Sequence, residues 1–239
     1  MRYLIVSDLH ANWEALQAVL ADADGRYDSI VCCGDVVGYG ADPDPVTEWV
    51  RENVAAIVRG NHDKACAGLE DLEWFNPAAR ASALWTQTMA DPRNLAYLRR
   101  LARGPESLHG FQIIHGSPVD EDEYVLTERD VSDVAPYLDA AVTFFGHTHV
   151  QIGFLCHRNG VKTLLRETIE LENDVQYLIN PGSVGQPRDG DPRAAYVLYD
   201  TDQRTVLFQR ARYDVESAQK KIVRAGLPDL LARRLATGN

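Results

Sequence analysis

The chain has 239 residues, 45% hydrophobic and 25% charged, a composition that suits one α/β domain with a sizeable core and excludes a disordered or fibrous chain. Its 24 basic and 35 acidic residues leave a net charge of −11, which argues against stable nucleic-acid binding, because phosphate backbones call for lysine and arginine. No apolar run approaches the roughly 20 residues of a membrane helix, and the opening MRYLIVSDLH lacks the long apolar core of a signal peptide, so a cytoplasmic protein with no membrane attachment is expected.

In chain order, RYLIVS is a continuous apolar run and predicts a strand buried on both faces. NWEALQAVLADAD follows with Trp13, Leu16, Val19 and Leu20 at helical spacing. SIVCC predicts the second strand, DPVTEWVREN a short helix with proline in its first turn, and VAAIV the third strand. Residues 64–105 read as a helical insert, with NPAARASALWTQTMA and DPRNLAYLRRLA each opening on a cap residue followed by proline. SLHGFQIIHG then predicts a hairpin or paired strands, VSDVAPYLDA a helix and AVTFFG another buried strand. Short alternating strands fill Val150 to Arg212, and a tail of about 214–236 reads as two helices split at Gly226-Leu227-Pro228. No linker divides the chain, so a single domain over 1–239 is expected, with two sheets packed face to face and helices outside. Cys32, Cys33, Cys66 and Cys156 match no zinc or redox spacing and are expected to be buried free thiols.

Five of the seven histidines fall in short polar motifs at strand ends: His10 in SDLH, His62 in GNHD, His115 in HGS, and His147 and His149 in GHTH. Asp8, Asp35 and Asn61 occupy equivalent positions. Loops at the carboxyl ends of strands line the ligand crevice of an α/β sheet, so these distant segments are expected to meet at one rim. Imidazole together with carboxylate and amide oxygen, and no thiolate, points to octahedral first-row metal ions and not to structural zinc. If the Asp-x-His and His-x-His pairs lie on extended backbone, both members of a pair face the same way.

SDLH, GDVVGYG, GNHD, HGS and GHTH, in this order, resemble the calcineurin-like metallophosphoesterases over about Met1 to Tyr199. The GYG loop and the late NPGSVGQPRDGDPRA segment, Asn180 to Ala194, are most similar to small bacterial and archaeal phosphodiesterase-like members. The resemblance implies a four-layer αββα sandwich. It implies one divalent ion on Asp8, His10 and His149, a second on Asn61, His115 and His147, and Asp35 bridging both. Manganese is the expected metal, with iron, zinc, nickel or cobalt as alternatives. The implied activity is hydrolysis of a small phosphodiester by a hydroxide that bridges the ions. Phosphomonoesters, phosphoproteins and dinucleoside polyphosphates are alternative substrates of the same centre, and a non-catalytic scaffold is a further reading. Ala11, Ala41 and Gln151 depart from the family pattern, and none of the three is an implied ligand. No oligomeric state follows from the sequence.

His62 need not bind metal and is expected either to hydrogen-bond a phosphate oxygen or to protonate the leaving group. Asp63 is expected to orient that imidazole or to act as a turn or helix cap. Tyr39 either lines the crevice or is a loop aromatic, and Gly34, Gly38 and Gly40 permit tight turns. Arg188 and Arg193 either reach a substrate phosphate or solvate the surface. Asn180, Gly182 and Ser183 shape the surroundings of the metals or form a structural turn. Trp74, Phe75, Trp85 and Tyr97 form a lid over a base or pack in the core. The acidic run DEDEY at 120–124 is expected to be a solvated loop, and His109 and His157 match no motif.

Overall fold

The apolar N-terminal run forms β1 (Arg2–Val6), and its side chains divide between two cores. Tyr3 and Ile5 enter a core between two sheets, while Leu4 and Val6 enter a second core beneath helices. Strand side chains alternate in direction, so a run that is apolar at every position must be covered on both faces. The computed structural model describes all 239 residues and supplies that cover.

The first sheet continues with β2 (Ser29–Cys32) and β3 (Ala56–Ile57), both parallel to β1. The second sheet starts with the hairpin β4 (Glu106–Leu108) and β5 (Phe111–Ile113), followed by β6 (Val142–Phe144), β7 (Gln151–His157) and β8 (Gly160–Leu164). The chain then returns to the first sheet at β9 (Thr168–Glu170), to the second at β10 (Gln176–Pro181), and finally to the first at β11 (Ala194–Asp200) and β12 (Thr205–Ala211). The sheet orders are β3-β2-β1-β11-β12-β9 and β4-β5-β6-β10-β7-β8.

Helices α1 (Trp13–Asp22), α2 (Pro43–Asn53), α3 (Asn61–Cys66), α4 (Pro77–Met89) and α5 (Pro92–Leu98) lie on the side of the first sheet. Helix α6 (Glu128–Val134) covers the second sheet, with Val131 and Val134 against Phe145, Phe154 and Leu178. The layers therefore run helix, sheet, sheet, helix, as the family resemblance implied. Buried side chains of this kind contribute about 1.5–3 kcal/mol each relative to exposure. The tail forms α7 (Val215–Arg224) and α8 (Asp229–Leu235), which pack against Tyr39 and the start of α4. No helix is long and apolar enough to cross a membrane.

Two elements differ from their sequence expectation. GNHD follows β3 as expected, but Asn61 already begins α3, so His62 and Asp63 sit in a first helical turn that was not expected. The helix expected at VSDVAPYLDA starts earlier, at Glu128, because Thr127 and Asp130 form a capping box, and it gives way to a 3-10 turn at Ala135–Tyr137, where Pro136 ends the α-helical hydrogen bonding.

Candidate metal centre

Each site motif follows a strand: SDLH after β1, GDVVGYG after β2, GNHD after β3, HGS after β5 and GHTH after β6. Pairing of β1 with β2 and of β5 with β6 is parallel, so these ends emerge together at one rim of each sheet. The backbone there is not extended. Asp8 (φ 53), His10 (φ 47), Asp35 (φ 56), Tyr39 (φ 61), His147 (φ 68) and His149 (φ 59) all take the left-handed conformation. Such non-glycine residues cost energy and persist where the surroundings fix them. The paired ligands face one way because the chain turns at each of them, which corrects the expectation from strand alternation.

The structure brings Asp8, His10, Asp35 and His149 together as one buried group, and Asp35, His115 and His147 as a second. Asp35 belongs to both. The amide oxygen of Asn61 lies 3.3 Å from His115 Nε2 and so joins the second group.

Backbone carbonyls fix the imidazole tautomers. Nδ1 of His10 donates to Val37 O (3.0 Å), Nδ1 of His149 to Gln186 O (2.6 Å) and Nδ1 of His115 to Cys33 O (2.7 Å). In the neutral rings this leaves a lone pair on each Nε2. His147 is turned the other way, with Nε2 on Asp122 O at 3.1 Å, which leaves Nδ1 for the cluster. The free nitrogens of His10 and His149 are 3.0 Å apart. Asp8 Oδ1 lies 3.4 Å from the latter, and Asp35 Oδ2 lies 3.7 Å from the former and 3.4 Å from His115 Nε2. The outer oxygens, Asp8 Oδ2 and Asp35 Oδ2, are buried without a hydrogen-bond donor. Apart from His115, whose ring carries a proton toward Asp35, acceptors converge on acceptors, an arrangement that cations suit. The donor set fits divalent ions.

The electrostatics of the protein alone agree. Burial, with the neighbouring charge of Asp35, pushes the Asp8 carboxyl up to about 7. Burial also acts on Asp35, but the positive charge of His115 outweighs it and holds this carboxyl well below the usual range. His115 is raised to about 10, because the charge of Asp35 outweighs its burial. Burial lowers His10 and His149 well below the ordinary imidazole value and takes His147 to about 3, so these rings are neutral and able to bind metal near pH 7.

Asp63 does not orient His62, and that expectation is corrected. Its carboxylate accepts from the backbone N–H groups of Asp35 (2.9 Å), Val36 (2.9 Å), Val37 (3.3 Å) and Gly60 (2.9 Å), which exhausts its lone pairs. It ties the GDVVGYG loop to α3, as the cap alternative implied. His62 N–H in turn donates to Asp35 Oδ1 at 2.8 Å. A side chain at Gly60 would collide with that carboxylate, which explains the glycine.

The His62 ring is buried, and its Nδ1 has no hydrogen-bond partner. Burial lowers its pKa to about 4. The ring lies 4.3 Å from that of Tyr39 and 5.5 Å from that of Phe75, centroid to centroid, and it faces a cleft of about 550 Å³. Tyr39, Asn61 and His147 line the same cleft. Arg188 Nη2 donates to Tyr39 Oη (3.0 Å) and Gln186 Oε1 (3.4 Å), and Nε has no partner. Its nearest ionisable neighbours are Tyr39 and Tyr124, with no carboxylate in salt-bridge range, and its charge is felt at Asp8, His10, His62 and His149.

Arg193 is elsewhere, paired with Asp191 at the surface. Trp85 and Tyr97 pack in the core, whereas Phe75 and the exposed Trp74 border the cleft. Asn180 donates to Gly146 O and Thr148 Oγ1, and Ser183 to Asp8 O, so NPGS fastens two ligand loops. Gln151, a departure from the family pattern, spans strands by donating to the carbonyls of Pro181, Tyr196 and Gln209. The DEDEY run is not a free solvated loop. Glu121 is buried on Arg59, Asp122 supplies the carbonyl for His147, and the Tyr124 ring lies 4.0 Å from the His147 ring. Its charges concealed that role in the sequence.

A profile of the calcineurin-like phosphoesterase superfamily domain matches residues 1–204. The chain belongs to this superfamily. An uncharacterized protein of Methanocaldococcus jannaschii is 39% identical over 240 residues, 98% of this chain and 97% of that one. The metallophosphoesterase from Sphaerobacter thermophilus superposes with a TM-score of 0.88 at 39% identity, over 100% of this chain and 99% of that one. A hypothetical protein from Pyrococcus horikoshii OT3 shares the fold, with a TM-score of 0.81 at 18% identity over 100% and 98% of the two chains. This member of the calcineurin-like superfamily therefore carries candidate metal-binding residues on the superfamily's fold, and its tail helices α7 and α8 lie beyond the matched segment.

Proposed function

We propose that the chain is a phosphodiesterase whose centre takes two divalent ions. Asp8, His10 and His149 would hold one, Asn61, His115 and His147 the other, and Asp35 would join them. The observation that carries this reading is the convergence of two buried groups of carboxylate and imidazole side chains that share Asp35, with the free nitrogens of His10 and His149 3.0 Å apart. When bound, two such cations supply a nucleophilic water near neutral pH and offset charge on the phosphoryl oxygens. Manganese is the proposed metal, and iron, zinc, nickel and cobalt fit the same mixed nitrogen and oxygen donors.

The protein's own groups do the rest. Arg188, half-buried with no carboxylate partner, holds a phosphate oxygen, and Tyr39 positions its guanidinium. Nδ1 of His62 is sealed inside, so Nε2 is the nitrogen that serves the substrate. It hydrogen-bonds a phosphate oxygen, or, in the fraction of molecules whose ring is protonated, passes a proton to the leaving oxygen as the new oxygen–phosphorus bond forms and the ester bond breaks. The substrate is a small phosphoester, in keeping with a cleft of about 550 Å³.

The test is hydrolysis of bis(p-nitrophenyl) phosphate by protein stripped with a chelator and then supplied with manganese. Stripped protein is expected to be inactive and restored protein active. His62→Asn is expected to lower turnover about 10²- to 10³-fold while retaining its metal. Turnover without metal would refute the metal-dependent reading, and metal loss in His62→Asn would refute the role given to that residue. Faster turnover of p-nitrophenyl phosphate would replace the diesterase with a monoesterase.

A further inference from the structure

We propose that the outer part of the cleft selects a substrate with one phosphate and a flat, uncharged aromatic group, and rejects polyphosphates. This rests on the phosphodiesterase reading of the metal centre and names the substrate class for it.

Aromatic rings border the cleft on several sides. Tyr39 and Phe75 flank His62, Tyr124 lies against His147, and Trp74 stands at the rim 93% exposed. An indole so exposed buries nothing within the protein, so its stacking face is available to a ligand. His62 lines the same space, buried, with no hydrogen bond from its ring to the protein. These rings and His62 line one cleft.

The charges of the outer cleft run the other way from those of its inner end. Glu70, Asp71 and Asp122 line it, and no lysine or arginine does. Lys64 stands behind them and is shared among Glu70 (3.1 Å), Glu121 (3.2 Å) and Asp122 (2.5 Å), while Arg59 is taken by Glu121. Two cations therefore meet three carboxylates, Asp71 has neither cation in ion-pair range, and the outer cleft stays negative. The proposed metal ions make the inner end positive, with Arg188 behind Tyr39 adding to them, which suits a single phosphate. A second or third phosphate would extend outward into like charge, and a carboxylate-lined cleft repels it. An aromatic group without charge avoids that repulsion and gains the stacking surfaces, worth about tenfold in affinity per ring.

The experiment compares 1-naphthylphosphonate with methylphosphonate as competitive inhibitors of bis(p-nitrophenyl) phosphate hydrolysis by the manganese-loaded protein. The two carry the same anionic group. The naphthyl compound is expected to bind at least tenfold more tightly, and Trp74→Ala is expected to remove most of that advantage. In parallel, diadenosine tetraphosphate is expected to be cleaved with at least a tenfold lower kcat/KM than thymidine 5′-(p-nitrophenyl phosphate), and Glu70→Gln with Asp71→Asn is expected to narrow that gap. Equal inhibition by the two phosphonates, or tetraphosphate cleavage as efficient as that of the diester, would overturn the proposal. Absence of any diester turnover would instead overturn the phosphodiesterase reading beneath it.

Discussion

Asp35→Asn is expected to lower diester turnover by about 10³-fold or more and to leave at most one metal ion per chain. Asp35 is the residue shared by both ligand groups, and its Oδ2 faces the free nitrogens of His10 and His115. An amide has the same shape, but its N–H₂ placed at Oδ2 points hydrogen-bond donors at those lone pairs. It satisfies them in the way a cation would and removes the negative charge that attracts one. Asn at this position is also expected to lower the melting temperature of the metal-free protein near pH 7, since it removes the buried charge that pairs with His115. Metal analysis, an activity assay and thermal unfolding of one variant check all of this. Two ions per chain in Asp35→Asn would show that Asp35 does not join the sites.

Asp63→Ala is expected to be the most destabilising single change near the centre, although Asp63 is not a proposed ligand. It would leave four backbone N–H donors, those of Asp35, Val36, Val37 and Gly60, without their acceptor. Each buried unsatisfied donor costs about 1–3 kcal/mol, and partial relaxation brings the total to about 4 kcal/mol. In a chain of this size that lowers the melting temperature by roughly 8–16 °C. Metal affinity is expected to fall at least about tenfold as well, because the loop that carries Asp35 loses its anchor on α3. Burial and the charge of Asp35 push the Asp63 carboxyl up to about 7, and its N–H donors oppose that rise. Asp63→Asn is therefore also expected to be destabilising, since an amide N–H₂ then confronts backbone N–H groups. A melting temperature within 2–3 °C of the unsubstituted protein, a shift worth about 1 kcal/mol, would contradict the role given to Asp63.

Much of this was legible in the sequence because the site is built from short motifs behind strongly apolar strands. RYLIV and SIVC announce buried strands, and the polar residues that interrupt them are the ones that meet at the rim. What the sequence could not show depends on backbone direction. The left-handed turns at Asp8, His10, His147 and His149 carry only a weak residue signal, since none is glycine and Asp and His are merely enriched in that conformation. The carbonyls that fix each imidazole, from Cys33, Val37, Asp122 and Gln186, are independent of side-chain identity. Asp63 reads either as a partner of His62 or as a cap, because adjacency in GNHD leaves both open, and the first turn of α3 decides for the cap by sending its carboxylate to Gly60 N–H and the neighbouring loop. DEDEY looked like a solvated run, yet Arg59 and Lys64 neutralise Glu121 from segments far away in the chain and allow it to be buried.

The most direct test of the two-ion centre is anomalous diffraction from crystals of the protein loaded with manganese. Two peaks roughly 3.5–4 Å apart are predicted. Asp35 should lie between them, with Asp8, His10 and His149 around one and Asn61, His115 and His147 around the other. A single peak, or peaks that Asp35 does not touch, would contradict the account.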